Sequence, residues 1–124
     1  MDICSIIKSF GGAGIINGEV GLGYSLGDED FYREILQTFF ADYIDNKKKL
    51  QQFYADKNYD EYLILTHGIK NTARTIGADA FSDRSKEQEM AVRNKEFGYI
   101  DETFSSYIKA YDELAGLIER VLAL

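Results

Sequence analysis

A single histidine, His67, stands three residues before Lys70 and seven before Arg74. In an α-helix these spacings place the two cations one and two turns beyond the imidazole. A neutral imidazole is a nucleophile, and nearby cations can hydrogen-bond a doubly charged phosphoryl group attached to its ring. The residue types and their spacing therefore indicate a site that handles an anion.

His67 is predicted to face away from the protein core. In a helix of about 100° per residue, the apolar Leu65, Ile69 and Ile76 point roughly 160–200° away from it. The residues within about 60° of the imidazole are its predicted surroundings, namely Leu63, Lys70, Asn71 and Arg74. Gly68 beside it leaves room for another protein to approach.

Other roles of a histidine fit this sequence poorly. Zinc needs three or four ligands, but the chain has no second histidine and no metal-ligand spacing around Cys4. The serines lie in helical contexts without the sharp turn of a hydrolase nucleophile. We therefore expect no metal site and no serine-hydrolase triad, which leaves nucleophilic chemistry by the imidazole itself.

The charge balance restricts the partners. Of 124 residues, 21 are acidic and 14 are basic, which gives a net charge of −7. Duplex nucleic acid and anionic membranes both need a basic surface, so we expect neither as a partner. The basic run 47–49 is predicted to lie on a solvated helix face.

The cellular location is predicted from what the sequence lacks. One cysteine cannot form an internal disulfide, and no apolar run approaches the roughly 20 residues that cross a bilayer. Residues 1–7 lack the basic segment typical of a signal peptide. We therefore expect a cytoplasmic protein.

The chain contains no proline, which suits long uninterrupted helices. Residues 1–14 are predicted to form an N-terminal segment with a short amphipathic helix, and a glycine-rich stretch continues to Gly27. Asp28 is predicted to cap a long helix because Glu29 and Asp30 then occupy its first turn. Apolar residues recur along this helix at Phe31, Ile35, Phe39, Tyr43, Leu50 and Phe53.

Three further helices are predicted. One runs from about Tyr59 to Ile76 and carries His67, and another covers roughly 79–96. The last has apolar residues three and four apart from Ile100 to Val121. Four long helices with short connections predict an all-α domain over residues 15–124, specifically an antiparallel four-helix bundle.

The run His67-Gly68-Ile69-Lys70-Asn71, followed by Gly77, resembles the motif of histidine-containing phosphotransfer (HPt) domains of bacterial two-component phosphorelays. That motif is His, any residue, Leu or Ile, Lys, Gly, then five residues and Gly. Residues 27–36 followed by Phe39 look like the start of the family's second helix. The similarity covers about residues 15–122, nearly the whole chain.

The resemblance implies that His67 accepts a phosphoryl group from an aspartate of one receiver domain and passes it to another. Lys70 would neutralise phosphoryl charge, and Gly68, Leu63 and Ile64 would belong to the docking surface. The implied partners are receiver domains of response regulators or hybrid histidine kinases. The resemblance further implies a phosphocarrier without a cofactor or independent catalytic machinery, so the chain is not predicted to be an enzyme. The receiver alone would hold Mg²⁺, and we expect this chain to be a monomer.

Two positions depart from the family pattern. Asn71 stands where the family usually has glycine, and it would either crowd a docking receiver or hydrogen-bond the phosphoryl oxygens. Gln88-Glu89 replaces the common Leu-Glu pair, which we expect to affect packing only.

Three alternatives stay open. The chain could be a docking module that binds a receiver or kinase without being phosphorylated, or a structural helical domain in which His67 is incidental. It could also be the phosphotransfer domain of a chemotaxis-type kinase, phosphorylated from an ATP site. Residues 27–36 look more like the relay type.

Overall fold

The computed structural model describes residues 1–124, which form six α-helices and no strand. The helices are α1 (Ile3–Ser9), α2 (Gly18–Tyr24), α3 (Glu29–Ala55), α4 (Tyr59–Thr75), α5 (Asp79–Arg93) and α6 (Phe97–Leu122). The predicted all-α class is confirmed. None of the six helices combines the length and hydrophobicity needed to cross a lipid bilayer.

Local capping interactions explain where the long helices begin and end. The Asp28 carboxylate accepts a hydrogen bond from the Phe31 amide at 3.1 Å, which starts α3 as predicted. Gly77 has a φ of +84° and ends α4 as predicted. The predicted extension of α5 to residue 96 is wrong, because Lys95 adopts a left-handed conformation and the helix stops at Arg93.

The four longer helices contact one another in a closed cycle. α3 packs against α4, α4 against α5, α5 against α6, and α6 again against α3. The apolar stripe of α6 is buried from Ile100 to Val121 as its spacing predicted, except for Phe104, which is half-buried. In the first turns of α3 the buried side chains are Tyr32 and Leu36, whereas Phe31, in the predicted stripe, remains partly exposed.

The N-terminal residues share the core of the longer helices. Ile3, Ile6 and Ile7 of α1 are buried in the same apolar cluster as Leu117 of α6. A Cβ atom on Gly12 would lie 2.7 Å from the Leu117 side chain, so only glycine fits there without rearrangement. The division between segment 1–14 and domain 15–124 stays a prediction.

The C-terminal end of α4 is held by neighbours from two other parts of the chain. The backbone N–H of Asn17 donates to the Gly77 carbonyl at 2.9 Å, and the buried Tyr32 hydroxyl donates to the Ile76 carbonyl at 2.7 Å. A Cβ atom on Gly77 would lie 2.1 Å from the Asn17 carbonyl oxygen. This close approach and the positive φ both require glycine at position 77.

Candidate functional site

His67 lies in the middle of α4 on the side of the helix that faces solvent. Its side chain is 49% exposed, while Ile69 and Ile76 on the opposite side are buried. Leu65, also predicted for the buried stripe, is half-buried. The helical periodicity of the sequence therefore predicted the orientation of His67 correctly.

A carboxylate from the neighbouring helix anchors the imidazole. Glu89 of α5 is only 4% exposed, and its Oε2 atom lies 3.0 Å from Nδ1 of His67. Lys70 Nζ donates to Glu89 Oε1 at 2.8 Å, and Arg93 Nη2 donates to Oε2 at 3.1 Å. One buried carboxylate thus joins three side chains of α4 and α5 into one polar cluster.

The cluster keeps Glu89 ionised. Burial raises the pKa of its carboxyl group, but hydrogen bonds from Lys70, His67 and Arg93 outweigh burial and bring the pKa to about 2. The buried charge is therefore well compensated at neutral pH. An ionised carboxylate can only accept hydrogen bonds.

This restriction assigns the proton on the neutral imidazole. Because Glu89 can only accept, Nδ1 of His67 carries the hydrogen and donates it to the carboxylate. Lys70 Nζ lies 3.4 Å from Nδ1, but that nitrogen then has no free lone pair, so Lys70 donates to Glu89 instead. The lone pair of the neutral ring is consequently on Nε2, the nitrogen turned away from Glu89.

Asn71 is the only side chain that contacts the second ring nitrogen. Its amide nitrogen, Nδ2, lies 3.4 Å from Nε2 of His67. An amide NH₂ group can donate but not accept, which matches the lone pair assigned to Nε2. Asn71 itself is exposed.

The remaining predicted site residues lie on α4 but outside the polar cluster. Gly68 is exposed, and a Cβ atom there would meet nothing within 4 Å. Ile64 is 62% exposed and Leu63 is half-buried. Arg74 is exposed and forms no ion pair, so the structure does not bring it into the cluster with Lys70.

An open groove lies beside Gly68, between α3 and α4, with a volume of about 320 Å³. Apolar side chains form part of its lining, among them Phe53 and Ile64. Asp42, Glu61 and Lys49 add charge to it. The side of α4 that faces α3, next to Gly68, is therefore accessible and partly apolar.

Sequence reasoning did not identify Glu89 and Arg93 as site residues. The expectation that Gln88-Glu89 affects packing only holds for Gln88, which accepts from the buried Tyr62 hydroxyl at 2.7 Å. It did not concern Glu89, which the family pattern shares and whose carboxylate contacts the imidazole. One signal was present: Glu89 shares the buried face of α5 with Ser82 and Ser85, and a buried carboxylate requires cationic partners.

No group of three His, Cys, Asp or Glu side chains is arranged to hold a metal ion. Comparisons of the chain with protein-family models, with curated proteins and with solved structures found no match. The function is therefore inferred from the geometry around His67 and from the motif that contains it.

Proposed function

We propose that this chain is an HPt domain, a phosphorelay intermediate that is phosphorylated on His67. The observation that carries this proposal is the contact between the buried Glu89 and Nδ1, which leaves the lone pair of Nε2 on the exposed side of the ring. A nucleophile must present its lone pair to a reacting group, and this arrangement does so without a metal or a general base.

In the proposed step, Nε2 of His67 forms a bond to phosphorus while the bond from phosphorus to an aspartate oxygen of a receiver domain breaks. The released electron pair stays on the aspartate carboxylate. The imidazole keeps its Nδ1 proton and becomes positively charged, and the ionised Glu89 at 3.0 Å stabilises that charge. Transfer to a second receiver is the reverse reaction with another aspartate.

Lys70 has two roles in this proposal. It pairs with Glu89 in the unphosphorylated protein, where its ammonium group lies 3.4 Å from Nδ1. Rotation of its flexible side chain would bring the ammonium group toward a phosphoryl group on Nε2. Arg93, half-exposed beside the same carboxylate, adds a second cation. The receiver would hold the Mg²⁺ ion and supply most of the transition-state stabilisation.

The fold and the surface around the site agree with such a role. The closed cycle of contacts among α3, α4, α5 and α6 supports an antiparallel four-helix bundle, to which α1 and α2 are additions. Gly68, Ile64 and the neighbouring groove form the docking surface that we propose for receiver domains. In this proposal the protein is a monomer located in the cytoplasm.

A transfer assay tests the proposal. Purified receiver domains are loaded with radiolabelled acetyl phosphate and Mg²⁺, mixed with the full chain, and the chain is examined for label that is lost in acid and kept in alkali. We expect such label on the native chain and none on His67→Gln. Label that persists on His67→Gln would refute the assignment, and the Ser105→Ala variant serves as a control for an exposed substitution away from His67.

The same assay addresses the other readings. Binding of a receiver without transfer of label would favour a docking module, and phosphorylation only by a kinase with ATP would favour the chemotaxis-type domain. If the chain binds no receiver and takes no label from any donor, a purely structural role is favoured.

A further inference from the structure

We infer that Asn71 shields the reactive nitrogen of His67 and thereby lowers its reactivity toward donors in bulk solvent. This inference rests on the proposed function for its biological meaning, but it concerns a property of the imidazole that can be measured without any relay partner. It depends on one contact, from the Asn71 amide nitrogen to Nε2 at 3.4 Å.

The direction of the hydrogen bonds along the cluster supports a shielding role. Cationic Lys70 donates to the ionised Glu89, and His67 donates to the same carboxylate through Nδ1. Nε2 is then an acceptor, and the Asn71 amide can only donate to it. The lone pair that would attack phosphorus is thus already engaged in the resting protein.

The Asn71 amide can move away from Nε2 because both side chains are exposed to solvent. Asn71 lies on the solvent-facing side of α4, its contact to Nε2 is long for a hydrogen bond, and Gly68 beside His67 leaves the approach open. A partner that docks over α4 can displace the amide from Nε2 and offer it another acceptor. A small phosphodonor lacks such a surface, so it meets the shielded nitrogen.

The consequence is selectivity between donors. The shield slows phosphorylation of His67 by small phosphodonors, while a docked donor removes the obstacle as part of binding. Because a single neutral hydrogen bond is at stake, we expect its loss to change the reactivity of Nε2 on the order of two- to tenfold.

Carbethoxylation with diethyl pyrocarbonate provides the test. The reagent is attacked by an unprotonated imidazole nitrogen, and because the chain has one histidine, the absorbance change near 240 nm reports on His67 alone. We expect Asn71→Ala to react about two- to tenfold faster than the native chain, and to be phosphorylated faster by phosphoramidate. An unchanged or slower reaction of Asn71→Ala would overturn the inference.

Two further variants distinguish loss of the hydrogen bond from a change in side-chain size and from a general effect of substitution on α4. Asn71→Leu keeps the size of the side chain but cannot donate, so we expect it to react faster than the native chain as well. If Ala accelerates the reaction and Leu does not, the obstacle is steric and the proposed shield is wrong. Thr72→Ala is the matched control, since its hydroxyl bonds only to carbonyls of α4, and its rate should equal that of the native chain.

A spectroscopic measurement excludes an indirect structural effect. In the neutral ring, loss of the amide donor should move the ¹⁵N resonance of Nε2 toward the value of an unbonded ring nitrogen, while Nδ1, still bonded to Glu89, should change little. Equal resonances in Asn71→Ala and the native chain would overturn the inference. If Asn71→Ala accelerates carbethoxylation as expected but the native chain takes no label in the transfer assay, only the proposed function is refuted.

Discussion

Two regions of the molecule use the same arrangement of a ring, a carboxylate and a lysine. On one side of the structure, Glu89 accepts from His67 and Lys70. On another, Asp112 of α6 accepts from the Tyr43 hydroxyl at 2.5 Å and from Lys47 at 2.9 Å. In both regions a carboxylate fixes the polar atom of a ring across a helix–helix contact.

The two regions differ in whether the ring has a second polar atom besides the one that the carboxylate holds. Burial and the hydrogen bond to Asp112 raise the pKa of Tyr43 to about 12, so its single polar atom stays protonated and fully engaged. The imidazole of His67 has a second nitrogen on the exposed side, beyond its anchor. The carboxylate positions the ring in both places, but only the His67 ring has a further polar atom, Nε2, beyond that contact.

Burial of the carboxylate is the second difference. Glu89 is 4% exposed and Asp112 is 40% exposed. Hydrogen bonds from Tyr43 and Lys47 outweigh partial burial and lower the pKa of Asp112, as the three donors do for Glu89. An exposed ion pair contributes little to stability, whereas a buried carboxylate without its charge partners is costly.

The largest effect is expected from Glu89→Gln. Glutamine keeps the shape but not the charge that pairs with Lys70 and that, under the proposed function, would stabilise a phosphorylated imidazole. We expect phosphorylation of His67 by phosphoramidate to fall about 10- to 100-fold, measured by intact mass, and the free energy of unfolding in urea to fall by about 2–3 kcal/mol.

Asp112→Asn is the matched substitution in the other region. It should cost less than about 1 kcal/mol of unfolding free energy and leave phosphorylation unchanged. Equal losses of reactivity in Glu89→Gln and Asp112→Asn would contradict the distinction between the two carboxylates.

Acid should weaken the His67 region through Glu89. The folded state lowers the pKa of this carboxyl group to about 2. Its contribution to the free energy of unfolding is therefore complete above the unfolded pKa of about 4.3 and is lost as pH falls toward 2. Between about pH 5 and pH 2 the native chain should lose about 2–3 kcal/mol more unfolding free energy than Glu89→Gln. Urea titrations of both proteins at several pH values measure this, and parallel pH curves would argue against it.

Lys70→Ala should have a smaller effect on the chemistry. It removes one cation from Glu89 and from an attached phosphoryl group, and charge-assisted contacts of this kind contribute about 1–2 kcal/mol. We expect phosphorylation to slow by about tenfold in a phosphoramidate time course. Lys47→Ala, the corresponding lysine at Asp112, should retain the native rate; a similar slowing there would point to a general effect of surface charge.

The smallest effect on the fold is expected from Gly68→Ala. A methyl group at this position meets no atom within 4 Å, and alanine favours helix more than glycine does. The free energy of unfolding should rise by about 0.5–1 kcal/mol in urea titrations, with no change in carbethoxylation of His67. Transfer from a receiver domain should slow, because the methyl group obstructs docking; unchanged transfer would remove Gly68 from the docking surface.

Features set by neighbouring residues in the chain were predictable. The cap at Asp28, the end of α4 at Gly77 and the buried stripe of α6 all depend on local spacing, and the structure shows each of them. The side of α4 on which His67 lies was predictable for the same reason.

Features set by contacts between helices were not predictable. Whether Glu89 reaches His67, 22 residues earlier, depends on the rotation and register of α5 against α4, which helical spacing does not determine. The same limit explains α3, where packing against other helices buries Tyr32 rather than Phe31. Only the chemical cost of a buried carboxylate could have drawn attention to Glu89.

The hydrogen bonds that hold the C-terminal end of α4 bear on how a partner would associate with this molecule. Asn17 and Tyr32 hold the carbonyls of Gly77 and Ile76, so the helix that presents His67 is preorganised before any encounter. A preorganised surface loses little conformational entropy on association, and its binding partner must supply most of the adjustment. Under the proposed function, discrimination among receivers would then depend on how closely their surfaces match this rigid helix.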